Sequence, residues 1–376
     1  MNYLVYIFVA LVPFIIADEL WDYSNLPKTL FIQNGVILLA VVFFWTRKLR
    51  KFDMKVSRTL IAYMVFLAWA GLSILWAVNK YEAVIIFTHW ATCGMFLFLV
   101  QNLNINRTIM FTILLLTAWT VALIGLGQHF FHLDWVLQSA RPASVFANKN
   151  LASAYILMIL PIGVALMVSV CRRRIGKDLI ISLLVSFIIL ATMLTYLYVA
   201  EFRTAFLIVP IIGTYYLVRY LRKTAYTDYA LLIPVLAVLI VASYFYVKPE
   251  VFHKATESRF QIWRNTGEII KKHPIVGVGI GNFRVHYDKY SDIALNTNEP
   301  HNDYIQVFCE LGIVGLYFAF LVIAYAFWGA QKEYDLYSAG LKVGLVVFLI
   351  LAMAHFPLQK ATGPYLSALY LGMLKV

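Results

Sequence analysis

The sequence predicts an all-α polytopic membrane protein of about twelve transmembrane helices, with one long external loop between the ninth and the tenth. Three observations carry that expectation. Hydrophobic residues make up 62% of the 376 positions and charged residues only 13%, which leaves too little polar surface to cover a soluble fold of this size. The apolar residues gather into runs of roughly 17–25 residues, the length a helix needs to cross a hydrocarbon layer. Lys and Arg, whose excess gives a formal net charge of +12, collect in alternate loops beside those runs.

The expected spans lie at about residues 3–17, 29–46, 57–77, 83–100, 108–131, 150–170, 178–199, 203–221, 229–247, 304–330, 338–355 and 364–375. The first lacks a basic leader and is followed directly by Asp18 and Glu19, so it reads as a retained helix rather than a cleaved signal peptide. Orientation follows from the basic loops. Arg47, Lys48, Arg50, Lys51, Lys55 and Arg58 lie between spans two and three. Arg172, Arg173, Arg174 and Lys177 lie between six and seven, and Arg219, Arg222 and Lys223 between eight and nine. All fall on one side, which the positive-inside rule makes cytoplasmic together with both termini. The loop from about Lys248 to Pro300 is then external, facing a periplasm or, without an outer membrane, the cell exterior. Anionic lipid accounts for most of the positive charge, and no nucleic-acid partner is expected. The chain reads as a single integral membrane domain over residues 1–376. Within it lie a periplasmic loop with short helices at 248–303 and a motif-bearing catalytic region at 140–320.

Composition and motifs also exclude chemistry. Cys93, Cys171 and Cys309 are scattered without metal-ligand spacing and read as structural. No Gly-rich loop with Lys and Ser/Thr is present to cradle a nucleotide, so a reaction on the external face must use an already activated substrate. Neither a metal nor a cofactor is expected. No internal repeat suggests a transporter built from inverted halves. In the external loop, Glu257–Arg264 leads into Thr266–Lys272, a stretch of helical composition. His273-Pro274 ends it, and Gly277-Val-Gly279-Ile-Gly281-Asn-Phe283 predicts a flexible reversal carrying a short lid or re-entrant helix back to the membrane.

Four segments put polar groups at external boundaries: Arg141 to Asn150, Glu201-Phe202-Arg203-Thr204, Arg259 to Arg264, and His301-Asn302-Asp303-Tyr304. Each has a purely structural reading. Asn148 and Asn150 suit helix caps, Arg203 a snorkelling cation, Arg259 an ion pair with Glu257 or another loop acid, His301 a helix start, and Tyr304 and Trp263 interfacial aromatics. Taken together they suit something more specific. Guanidinium groups bind phosphate bidentately and stay charged, while histidine takes a proton from a hydroxyl near neutral pH. Two arginines and a histidine on one face suit a lipid-linked phosphate or pyrophosphate donor attacked by a hydroxyl.

These residues resemble the O-antigen ligase/polymerase superfamily. The pattern His301-Asn302-x9-Gly312-x2-Gly315 is similar to its external histidine motif, and Arg203-Thr-Ala-Phe-Leu207 to its Arg-x3-Leu motif. Arg259-x3-Trp263 with His273-Pro274-Ile-Val-Gly277-Val-Gly279-Ile-Gly281-Asn-Phe283 resembles a further signature, and Phe146-Ala-Asn148-Lys-Asn150 its Asn-containing start of a central helix. The resemblance covers roughly residues 140–320. It implies a GT-C-like glycosyltransferase of the bacterial inner membrane, inverting and metal-independent. The implied donor is an undecaprenyl-diphosphate-linked glycan and the acceptor lipid A-core or another glycan. Arg203 and Arg259 would bind the pyrophosphate with help from Arg264, and His301 would activate or orient the acceptor hydroxyl. Asn302, Asn148, Asn150 and Tyr304 would support headgroup or sugar binding. Where Ser-Arg is frequent in the family, this chain has Phe202 preceded by Glu201, which either pairs with Arg203 or helps bind the acceptor. Ligation to lipid A-core leads, followed by polymerisation and by oligosaccharide transfer to a protein hydroxyl. A non-enzymatic transporter of lipid-linked glycan would need the arginines but not the histidine.

Overall fold

The computed structural model describes residues 1–48, 54–133, 135–171, 177–221, 249–289, 297, 299–329 and 335–374. Its helices in chain order are α1 (Asn2–Leu11), α2 (Asn25–Lys48), α3 (Arg58–Leu72), α4 (Lys80–Asn102), α5 (Arg107–Phe130), α6 (Lys149–Cys171) and α7 (Lys177–Val199). They continue with α8 (Arg203–Leu221), α9 (Pro249–Lys272), α10 (Phe283–Tyr287), α11 (Asp303–Gly329), α12 (Leu336–Ala354) and α13 (Thr362–Met373). Among the described residues eight helices are long and apolar enough to cross a membrane: α2 to α7, α11 and α12. In that setting a helix is favoured because it satisfies its own backbone polar groups. Polar side chains start several of them. Ser57 Oγ accepts from Leu60 N at 3.0 Å, Asn79 Oδ1 from Glu82 N at 3.1 Å and Asn106 Oδ1 from Ile109 N at 3.2 Å, each covering a donor that the first turn leaves open.

The expected count of twelve divides accordingly. Spans two to seven, ten and eleven correspond to the eight long helices. Span one is α1 with a following 3-10 turn at Val12–Phe14, and span eight is α8, whose apolar part is Arg203–Val218. The twelfth, α13, has 12 residues and reaches only about 18 Å. It is buried on all sides, so it is a core helix lying along α4. The ninth expected span, 229–247, lies outside the described residues. So do 49–53 and 172–176, and the side chains of Arg47, Lys48, Lys177 and Arg219, on which the orientation rests.

Helices α6 and α12 form the centre. In each, 67% of the most apolar stretch is buried, against 28% in α2 and α7, which sit at the periphery. Helices α5, α7, α8 and α12 pack around α6, and α3 lies along α11. Hydrogen bonds bind the connections at one end of this bundle. Lys28 Nζ, itself buried, donates to Val145 O at 2.8 Å and Ile15 O at 3.0 Å. Asn282 Oδ1 accepts from Asn79 N at 2.7 Å, and Asn25 Oδ1 from Ala361 N at 2.8 Å. All four segments singled out from the sequence lie at this end.

The segment expected as an external loop is largely helical where it is described. Its first part is one helix of 24 residues, α9. Ile262, Thr266 and Ile269 recur on one face and are buried, with Ile262 and Ile269 packed against Val278, Phe283, Tyr287 and Cys309. The glycine reversal that follows is packed rather than flexible. Gly277, Gly279 and Gly281 all have positive φ, and the first two press against Glu310 and Ala77.

Its partner is a break in α11. Gly312 has φ 66° and ψ −171°, a conformation essentially closed to other residues. The break frees carbonyls that the reversal then captures. Val278 N donates to Cys309 O at 3.0 Å and Gly279 N to Glu310 O at 2.8 Å, while Trp69 Nε1 donates to Leu311 O at 2.9 Å. A Cβ at Gly312 would fall on the carbonyl oxygen of Ile275. Gly312→Ala is therefore expected to destabilise the protein by about 3 kcal/mol, read as a lowered midpoint of thermal unfolding in detergent. An unchanged midpoint would reject this account of the motif glycine.

Candidate functional site

His301 occupies the turn immediately before α11, in the left-handed region at φ 55°. Its ring meets Phe356 edge-on at 4.9 Å. On one side Trp263 Nε1 donates to Pro300 O at 2.8 Å, tying α9 to this turn. On the other, Asn302 Nδ2 donates to Met353 O at 3.0 Å, tying the turn to the end of α12. The same conformation recurs around the other motifs. Among the described residues five non-glycine positions have positive φ, and four of them are Ser144, Ala147, Glu201 and His301. Such geometry persists only where the surroundings impose it.

Around His301 converge several cationic side chains. Burial, then the charge of Arg203, push the Arg259 guanidinium below its usual range, although an arginine remains protonated under any relevant condition. His301 is also held below the ordinary histidine value of 6.5, first by burial and then by Arg259. Glu299 pulls it up and Lys360 pushes it down. The sequence thus finds three members of one electrostatic cluster, Arg203 from the start of α8, Arg259 from α9 and His301 before α11. Among the described residues neither arginine is ion-paired; the side chain of Glu257, a partner expected for Arg259, lies outside them.

A fourth member, His355, is absent from the sequence reading. Its Nε2 shares a 2.9 Å hydrogen bond with Thr204 Oγ1, and its ring lies 4.9 Å from Phe202. Burial, followed by the charges of Arg259 and His301, lowers it to about 3, so it is a neutral imidazole that fixes the turn carrying Arg203. Lys360 is a fifth. Its Nζ lies 3.2 Å from Glu299 Oε1 and 4.8 Å from the Phe356 ring centre. Parity of the spans would have signalled both. A helix that starts at the far end of α11 must return to the near end, so His355 and Lys360 share the face of His301.

The other candidates are engaged elsewhere. Asn148 Oδ1 accepts from Asn150 N at 2.8 Å, a capping role, and Asn150 is exposed. Asn302 Oδ1 accepts from Tyr304 N at 3.0 Å and Ile305 N at 3.1 Å, capping α11. Tyr304 OH donates to Leu349 O at 3.0 Å across the α11–α12 contact. Glu201 does not pair with Arg203, because its carboxylate lies 3.6 Å from Lys149 Nζ. Arg264 follows Arg259 by five residues, about 140° around the helix. It is exposed near Glu268 and is not brought to His301.

Beside the cluster opens an apolar groove. It begins at Tyr304 and Val307 and continues between α11 and α12 past Ala319, Phe348 and Leu349 to Phe327. Among the described residues no three His, Cys, Asp or Glu side chains gather as a metal site. The arrangement therefore offers fixed positive charge, a mostly neutral imidazole and an apolar channel side by side.

Residues 150–320 match the family model described as O-Antigen ligase. That stretch, somewhat under half of the chain, supports a resemblance to the O-antigen ligase/polymerase superfamily. It contains Arg203, Arg259 and His301 but ends before His355 and Lys360. No curated protein matches the chain.

Proposed function

We propose that this chain, whose residues 150–320 match the O-Antigen ligase family model, transfers a glycan from a polyprenyl-diphosphate carrier to an acceptor hydroxyl at the periplasmic face. The two arginines beside His301, Arg203 and Arg259, neither ion-paired among the described residues, carry this reading. Two arginines that repel one another are stabilised by a dianionic ligand, and a lipid-linked pyrophosphate supplies one with an apolar tail. The groove between α11 and α12 suits that tail.

In the proposed step the acceptor hydroxyl attacks the anomeric carbon from the face opposite the pyrophosphate. The new C–O bond forms as the bond to the pyrophosphate oxygen breaks, and the configuration inverts. Arg203 and Arg259 bind the pyrophosphate and hold the charge that grows on it, an electrostatic contribution made without reorganisation. His301, in its neutral form, takes the hydroxyl proton. His355 keeps the Arg203 turn in place through Thr204. Ligation to lipid A-core and polymerisation on a second lipid-linked glycan use the same step and differ only in whose hydroxyl enters.

The test is transfer by purified protein in nanodiscs, given an undecaprenyl-diphosphate-linked glycan and either lipid A-core or a second lipid-linked glycan. Product from neither would reject the reading. The pH profile adds a sharper expectation. His301 must be unprotonated to act, and its neighbours hold its pKa down. The acid limb of kcat/KM, which reports the free enzyme, should therefore fall below pH 6.5, the ordinary histidine value. A limb above that value would contradict the assignment.

A further inference from the structure

A polar cavity of about 510 Å³ lies at the same end of the bundle, between the starts of α2 and α4, the glycine reversal and the first turns of α11. This is within the range of roughly 300–1,000 Å³ typical of small-molecule sites. Five carboxylates line it, Asp22, Glu82, Asp288, Glu299 and Glu310, against two cations, Arg284 and Lys360. The excess of acids disfavours a phosphorylated ligand.

Carboxylates alone would not define a ligand, but the cavity also holds polar atoms with nothing to bond. His89 is 6% exposed, faces the cavity from α4, and neither ring nitrogen has a partner. It sits seven residues below Glu82, about 10 Å into the bundle. Gln306, 4% exposed, donates through Nε2 to Glu310 Oε1 at 3.1 Å, which leaves its Oε1 unpartnered. Gln359 Nε2 is unpartnered as well. Buried polar groups left in this state are costly and usually signal a missing partner. The open set contains donors and acceptors together. A cation would call for acceptors only and an anion for donors only, whereas a hydroxyl group uses both.

The cavity adjoins the cationic cluster. Glu299 and Lys360 line it and form the ion pair whose two charges His301 also feels. We propose that the cavity is the acceptor subsite and that it receives an unphosphorylated, hydroxyl-rich sugar, presenting one hydroxyl past the Glu299–Lys360 pair to His301. This assignment rests on the transfer reading above. It narrows the acceptor to one whose terminal sugar carries no phosphate at the point of attachment.

The test is saturation-transfer NMR on the full-length protein in nanodiscs at millimolar sugar, with methyl glucoside, methyl galactoside and methyl N-acetylglucosaminide as probes and glucose 6-phosphate as the anionic control. At least one neutral glycoside should receive saturation while glucose 6-phosphate does not. His89→Leu and Gln359→Leu should each weaken that signal by about threefold to tenfold. Neither loss removes a bond seen in the folded protein through the atoms in question, so both variants should fold. Saturation of none of the glycosides, equal binding of glucose 6-phosphate, or insensitivity to both variants would overturn the subsite. The two readings fail separately. Glycan transfer without neutral-sugar binding sinks only the subsite, and neutral-sugar binding without any transfer sinks only the transfer reading.

Discussion

Replacing His301 with alanine is expected to lower kcat for glycan transfer by about 10²–10⁴-fold, the usual worth of a positioned proton acceptor, while the affinity for undecaprenyl diphosphate changes little. The separation follows from its charge state. With burial and Arg259 holding its pKa down, the imidazole is mostly neutral near pH 7 and contributes little attraction to a pyrophosphate. Its backbone is the complication, since an alanine at φ 55° is strained as well. His301→Asn answers that, because asparagine tolerates the left-handed region yet cannot serve as a base near neutral pH. Both variants should lose transfer, and the asparagine form should keep the wild-type unfolding midpoint. Full transfer by either would remove His301 from the chemistry and favour a carrier that only binds lipid-linked glycan.

Much of this arrangement was legible because the signals are local. Apolar run length marks the helices, and charge type and chain parity bring Arg203, Arg259 and His301 to one face. The same locality explains what was hidden. Asn302 looks like a ligand for a headgroup, yet its two ends cap α11 and hold Met353 O, a carbonyl 51 residues away. Glu201 stands two residues from Arg203 but reaches Lys149, because the turn at φ 51° points it across to α6. In the sequence Gly312 is only a motif position. Its actual constraint, a broken helix whose carbonyls are taken by a loop over thirty residues earlier, is tertiary. His355 was overlooked for a different reason. It directly follows an apolar span with no motif around it, and only its bond to Thr204 shows what it steadies.

Arg259→Ala is expected to weaken binding of undecaprenyl diphosphate by about 10–150-fold, the loss of a charge-assisted bidentate contact. It should do so without destabilising the free protein. Arg259 is half-buried, has no ion-pair partner among the described residues and is repelled by Arg203, so its removal relieves strain that only the ligand offsets. A structural arginine would give the opposite pattern, reduced stability with affinity preserved. The pH profile supplies a second signature with a fixed sign. Arg259 lowers the pKa of His301, so its loss lets that pKa rise and shifts the acid limb of kcat/KM toward higher pH. Arg259→Lys keeps the charge but not the two-pronged geometry. It should restore the limb toward its wild-type position while recovering only part of the affinity. Arg203→Ala should weaken binding by a similar factor, and the double variant by less than the product of the two, because both arginines hold one pyrophosphate and the second loss meets a ligand already displaced. Independent, multiplicative losses would instead mean that the arginines bind separate groups, and the single pyrophosphate site at the heart of the proposed reaction would have to be abandoned.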